Sequence, residues 1–129
     1  WGEAWLDGEY LAQVTALKAE VTPKTTAVAM VQRLNEGQKI TGLEMKGEIK
    51  LHKINSAIMR KMSEYFKRGK MMTCTIVSHV KDPDALGGER VALYDCLFEK
   101  LILADWEAGK IGEESYSFTF GSWELLQTI

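Results

Sequence analysis

His52, His79, Cys74 and Cys96 are the side chains with which this sequence could ligate a metal or form a covalent intermediate. Their spacing fits neither task. The two histidines fall on different strand-like segments, with no cysteine or carboxylate at metal-ligand spacing. Cys74 shares a strand face with Met72 and Ile76, the setting of a buried apolar cysteine and not of an activated nucleophile with His79 as its base. Asp82, Asp84 and Glu89 bring three carboxylates close together but lack the glycine and ligand pattern of a calcium loop. Gly87-Gly88 opens no helix that could cradle phosphate. The sequence therefore reads as non-enzymatic, with no catalytic, cofactor or metal site expected.

The elements that would have to position such groups are mostly strands. One stretch differs, residues 55–69, NSAIMRKMSEYFKRG. Ile58, Met62, Tyr65 and Phe66 recur at helical period and predict one amphipathic helix with that stripe as its core face. Asn55 or Ser56 is placed to cap its start and Gly69 to close its last turn. Arg60, Lys61, Lys67 and Arg68 fill the other face, with Glu64 one turn from Arg60 and Arg68. This basic face has no interleaved aromatic, so it reads as a solvated surface and not as a nucleic-acid grip.

Elsewhere the apolar period is two. Asp7-Gly8 predicts a tight hairpin. A long strand is expected from Tyr10 to Thr22, ending before Pro23. Residues 43–51 alternate most clearly, Leu43, Met45, Ile49 and Leu51 against Glu44, Lys46, Glu48 and Lys50, with Gly47 interrupting the apolar side. Strands are also expected at 71–80, 90–96 and 98–106, the last two as neighbours around Asp95. Residues 114–120 alternate Tyr116, Phe118 and Phe120 with Ser115, Ser117 and Thr119, and Gly121 marks a bulge where the apolar phase slips. The expected fold is mainly β: a β-sandwich or partly closed barrel of about seven antiparallel strands, with one flanking helix at 55–69.

The 129 residues are enough for one domain with a proper core. A net charge of −2 gives no overall reason to expect nucleic-acid binding. No apolar run reaches the roughly 20 residues of a membrane helix, and no signal peptide opens the chain. The absence of an initial methionine suggests a short N-terminal arm outside the numbering. Two cysteines make no disulfide framework and suit a reducing cytoplasm, with a disulfide between them the lesser alternative. Residues 23–42 form a long connection, expected to protrude as an arm. It carries Lys24, Thr26, Val28, Met30, Val31, Arg33 and Lys39, and its apolar members need a partner to cover them.

The run VQRLNEGQKITGLEMKGEIKLHKINSAIMRKMSEYFKRGK resembles the tail tube proteins of contractile phages, especially those of defective prophages and tail-like bacteriocins. The matching features are GQKITG at 37–42, the alternating strand with Gly47, then Lys53, Ser56 and the helix. The hairpin around Asp7-Gly8 and YSFTFGSWEL at 116–125 resemble that family as well. The resemblance implies a single tail-tube unit over 1–129. Six copies would close into a ring, and rings would stack into a tube wrapped by a sheath protein and built on a baseplate under a terminator. The arm would meet the next ring. Glu44, Lys46, Glu48 and Lys50, or the neutral Ser115, Ser117 and Thr119, would suit a channel wall past which DNA slides unheld. A monomeric carrier with a pocket lined by Tyr116, Phe118 and Phe120 is the alternative from another class, and the tube of a contractile secretion system shares the ring architecture.

Overall fold

The computed structural model describes residues 2–28, 37–81 and 88–127. The first element is the expected hairpin. Strands β1 (Gly2–Leu6) and β2 (Glu9–Tyr10) are joined by Asp7 and Gly8, both at positive φ, 50° and 83°. That conformation is the type I′ turn, whose twist matches the flanking strands. The Asp7 carboxylate also accepts from the Thr75 amide at 2.8 Å, anchoring the turn where strand β5 (Thr73–Lys81) carries a bulge between Cys74 and Ile76.

Strand β3 (Val14–Val28) pairs along its whole length with β4 (Gly37–Leu51). The expected break before Pro23 does not occur: Pro23 pairs with Leu43 inside the ladder. β3 is the edge strand of its sheet, where a proline facing the open side costs no ladder bond. Much of the anticipated arm is therefore the end of a two-stranded ribbon. Lys24 lies in it and is exposed, and Thr26, Val28 and Lys39 have strand backbone. Met30, Val31 and Arg33 lie outside the described residues, as do residues 82–87 of the expected turn-rich loop.

Helix α1 spans Ser56–Lys67. The Asn55 side chain accepts from the Ala57 amide at 2.7 Å. At the other end Gly69 has φ 71°; its amide donates to Phe66 and that of Lys70 to Tyr65, which closes a Schellman motif. Ile58 and Met62 are buried, Phe66 packs partly against the core, and Tyr65 at the margin of the stripe is 37% exposed. Among the described residues the helix's ion pair joins Lys61 to Asp7 at 3.7 Å, not Glu64 to Arg60 or Arg68.

Strand β6 (Gly88–Phe98) pairs with β5, and β7 (Glu114–Thr119) pairs with β4. No strand follows at 98–106. Leu101 and Ile102 pack on the core from an irregular segment, and the Ile102 amide donates to the Tyr116 hydroxyl at 3.3 Å and not to a ladder. The neighbour of β6 is instead β8 (Ser122–Gln127). One register carries β6 past β7 and then β8, from Phe98 opposite Phe118 to Val91 opposite Leu125. Asp95, at φ 56°, and Gly121 sit between the two halves, where a bulge was expected and the strand turns a corner. Among the described residues the result is eight antiparallel strands in one sheet, ordered β2-β1-β5-β6-β7-β4-β3 with β8 beside β6. This sheet does not close into a barrel. It folds over as a sandwich, with β2-β1-β5-β6-β8 as one layer and β3-β4-β7 as the other.

Tyr116, Phe118 and Phe120 fill the core together with Phe98, whose ring centroid lies 5.5 Å from that of Phe118. All three are buried side chains of this core, the residues the carrier alternative would need as a pocket lining. Gly47 lies directly opposite Phe118, and a Cβ there would overlap the ring and come within 2.9 Å of the Lys18 carbonyl. Gly47→Ala is expected to lose about 1–3 kcal/mol through overpacking, read from the urea midpoint. A second change, Phe118→Leu, should make the alanine less costly. An unchanged midpoint for Gly47→Ala would show that the ring shifts freely.

Candidate functional site

The histidines and cysteines are all engaged structurally. His52 is exposed and its Nδ1 lies 3.1 Å from the Gly112 carbonyl. His79 sits between Trp5 and Glu3, with its ring over Gly88. Cys74 and Cys96 are opposite one another on β5 and β6, both buried and both free thiols. A hydrogen bond to Cys96, and then burial, hold the Cys74 thiol above its ordinary range, the reverse of what a nucleophile needs. Among the described residues no three His, Cys, Asp or Glu side chains come together as a metal site. No helix there is long and apolar enough to cross a membrane.

A different surface stands out on the layer β3-β4-β7. On β3 and β4 the odd-numbered Leu17, Val21, Met45, Ile49 and Leu51 face the core and the even ones face out, while on β7 the even-numbered Tyr116 and Phe118 face the core and the odd ones face out. Register then builds cross-strand rows. Lys18 lies opposite Glu48, which lies opposite Ser117; Glu20, Lys46 and Thr119 form the next row; Ala16, Lys50 and Ser115 form a third. Glu44 pairs across to Thr22, and Lys24 follows toward the end of the ribbon. The two groups expected separately as channel walls, the charges of β4 and the hydroxyls of β7, are thus neighbours on one face.

The charges on this face balance locally. Lys46 forms an ion pair with Glu44, Lys18 lies 3.7 Å from Glu20, and Ser115 donates to Glu48 at 2.6 Å. The hydrogen bond and charge of Lys46 hold the Glu44 carboxyl below its ordinary range, and Glu44 in turn raises Lys46. Glu99 closes one side of a shallow depression of about 350 Å³ lined by Lys18, Glu20, Lys46, Glu48 and Ser117. Such exposed pairs add little stability. What they do is cancel the field, leaving a wet surface without a cationic cluster.

The model of the family described as phage tail tube protein matches residues 1–127. The chain belongs to that family. Two relatives from Bacillus subtilis (strain 168) are each 29% identical over 130 aligned positions, covering 99% of this chain and 88% of theirs. They are phage-like element PBSX protein XkdM and uncharacterized protein YqbM. The fold is shared with a chain in a 6-fold symmetrised structure of the anti-feeding prophage baseplate. That match has TM-score 0.67 and 10% identity, and covers 97% of this chain and 90% of the other. A solved Bacillus subtilis structure, 26% identical with TM-score 0.58, covers 99% of this chain and 93% of its own. This tail tube family member is a structural protein of a phage-tail-type assembly.

Sequence reasoning missed the polar network that holds the face in place. Glu114, buried at the start of β7, accepts from the Ile54 amide at 3.1 Å and the Tyr116 hydroxyl at 3.3 Å. Because Tyr116 in turn accepts from Ile102, the network ties the helix entry and the segment after β6 to one strand. The only cue was a glutamate starting an aromatic strand. Burial pushes the Tyr116 hydroxyl up to about 12. In the unfolded chain it ionises near 10. Between those values the unfolded state loses a proton that the folded state keeps, so stability falls as pH rises from about 10 to about 12. Urea midpoints should decline over that window, and Tyr116→Phe should make the decline shallower. An equal decline in the variant would assign it to other groups.

Proposed function

We propose that the chain is the subunit of a contractile tail tube. Six copies close into a ring, and rings stack into a channel through which DNA or ions pass. The observation that carries this reading is the outer face of β3-β4-β7. There Lys18, Lys24, Lys46 and Lys50 alternate with Glu20, Glu44 and Glu48 beside a row of hydroxyls. A wall of that kind is wetted and holds no polyanion, because retention of phosphates needs clustered lysine and arginine. The name of the relative XkdM, from a phage-like element, and the fold shared with a 6-fold symmetrised baseplate chain support the setting.

On this reading the protein works without catalysis, is made in the bacterial cytoplasm and ends in the tail of a phage or tail-like particle. Residues 1–129 act as one tail-tube unit. Its free strand edges meet other copies, which removes the liability of open edges. The ribbon formed by the ends of β3 and β4 is the contact toward the next ring. A two-stranded hairpin is marginal alone, so a neighbour is what stabilises it. The sheath, the baseplate and the terminator are the other partners. The segment after β6, with Leu103, Trp106 and Ile111 exposed, offers an outward apolar surface to one of them.

Negative-stain microscopy of the purified chain should show six-fold rings or tubes; a permanent monomer at high concentration would overturn the reading. The wall is tested separately. Tubes of the unaltered protein should retain no double-stranded DNA in a filter assay at low salt. Tubes carrying Glu20→Lys, Glu44→Lys and Glu48→Lys should retain it, with affinity falling steeply as salt is raised. If the altered tubes are as inert as the original ones, this face does not line the channel.

A further inference from the structure

Two apolar strips lie on the core side of the sheet by register yet remain uncovered. On β8, Trp123 pairs with Leu93 and Leu125 with Val91, and both partners face the core. Trp123 is nevertheless 41% and Leu125 59% exposed. On the other layer, Leu43 shares the face of Met45 and Ile49 but is 45% exposed. The reason is that the ribbon outruns its neighbour. The last bond from the β7 side reaches Met45, from the Phe120 amide at 3.3 Å, and β4 continues to Gly37 without it. A ribbon folded down onto β8 within one chain would bury all three side chains.

We propose that the apolar face of the ribbon, around Pro23 and Leu43, packs on the uncovered face of β8, around Trp123 and Leu125, in a second copy of this chain. Each strip is what the other lacks. One is a piece of the β3-β4-β7 layer without a facing sheet, and the other is a piece of the opposite layer in the same condition. Brought together at the usual spacing of about 10 Å, they continue the sandwich across the boundary between copies. The opposite side of the ribbon, with Thr22, Lys24 and Glu44, stays in water. Because the strips differ, each copy offers one and accepts one, a head-to-tail contact that closes a ring or extends a filament. Assigning the contact to rings or stacks rests on the tube reading; the pairing of the strips does not.

The test uses Leu43→Asp and Leu125→Asp in the full chain, each at an exposed position. Analytical ultracentrifugation should find each variant folded and stopped at the smallest unit that the strand edges alone can hold, a single ring or a monomer, with at least a tenfold loss of further self-association. An equimolar mixture should join those units in pairs and give nothing larger, since one intact strip of each kind remains. If both variants assemble like the unaltered protein, the contact is wrong and the tube reading survives. A mixture whose units stay unpaired also overturns it, and an unaltered protein that never assembles overturns both. Should a variant fail to fold, the double variant Leu43→Cys, Leu125→Cys replaces it. Oxidation should then yield a ladder of disulfide-linked multimers that neither single cysteine variant gives, and no ladder rejects the pairing.

Discussion

Phe118 is paired on both sides of its strand, with Gly47 of β4 and with Phe98 of β6, and its ring must fit between them. Fit is possible because residue 47 has no side chain. A ring that covers a glycine replaces the missing cross-strand contact and draws the two backbones into register. From that point the layers diverge: β4 and β7 go one way, β6 and β8 the other. Phe98 and Phe120 pack round that ring at centroid distances of 5.5 and 6.3 Å, and Tyr116 meets Phe98 edge-on at 6.1 Å. Moving this one side chain would displace the corner at Gly121 and with it both layers.

The features legible in the sequence are those decided within a few residues. The stripe of Ile58 and Met62, the Asn55 cap and the Gly69 closure follow from local geometry, and so does the Asp7-Gly8 turn. Alternation in 43–51 correctly separated core-facing Met45, Ile49 and Leu51 from the outward charges. Strand order was not legible, because pairing partners are remote in the chain and alternation does not name them. For that reason the β4 charges and β7 hydroxyls were expected as alternatives, when register makes them one surface. Two errors came from local rules overruled by context. Pro23 was tolerated because β3 is an edge, and the apolar pair Leu101 and Ile102 served packing and not a ladder.

The outward face of β3-β4-β7 shows how a sheet can be heavily charged and electrostatically quiet. Period-two placement of opposite signs, repeated out of phase on the adjoining strand, sets Lys18 opposite Glu48, Lys46 opposite Glu20 and Lys24 diagonal to Glu44. At physiological salt the Debye length is about 8 Å, longer than the spacing between those rows, so charges cancel before their field reaches far into solvent. The core beneath is indifferent to this pattern. Surface charge and fold could therefore change separately along this strand pair.

Residues 114–127 are the piece that ties the two layers through hydrogen bonds, and they follow every other described strand in the chain. During synthesis the β3-β4 hairpin and the β5-β6 hairpin are available well before them, each with one apolar side exposed. The sandwich can be completed only when this last strand emerges and pairs with β4 and then β6. A partly made chain thus has neither the corner at Gly121 nor the β8 strip. The two layers are therefore joined only once residues 114–127 have been made, and not gradually along the chain.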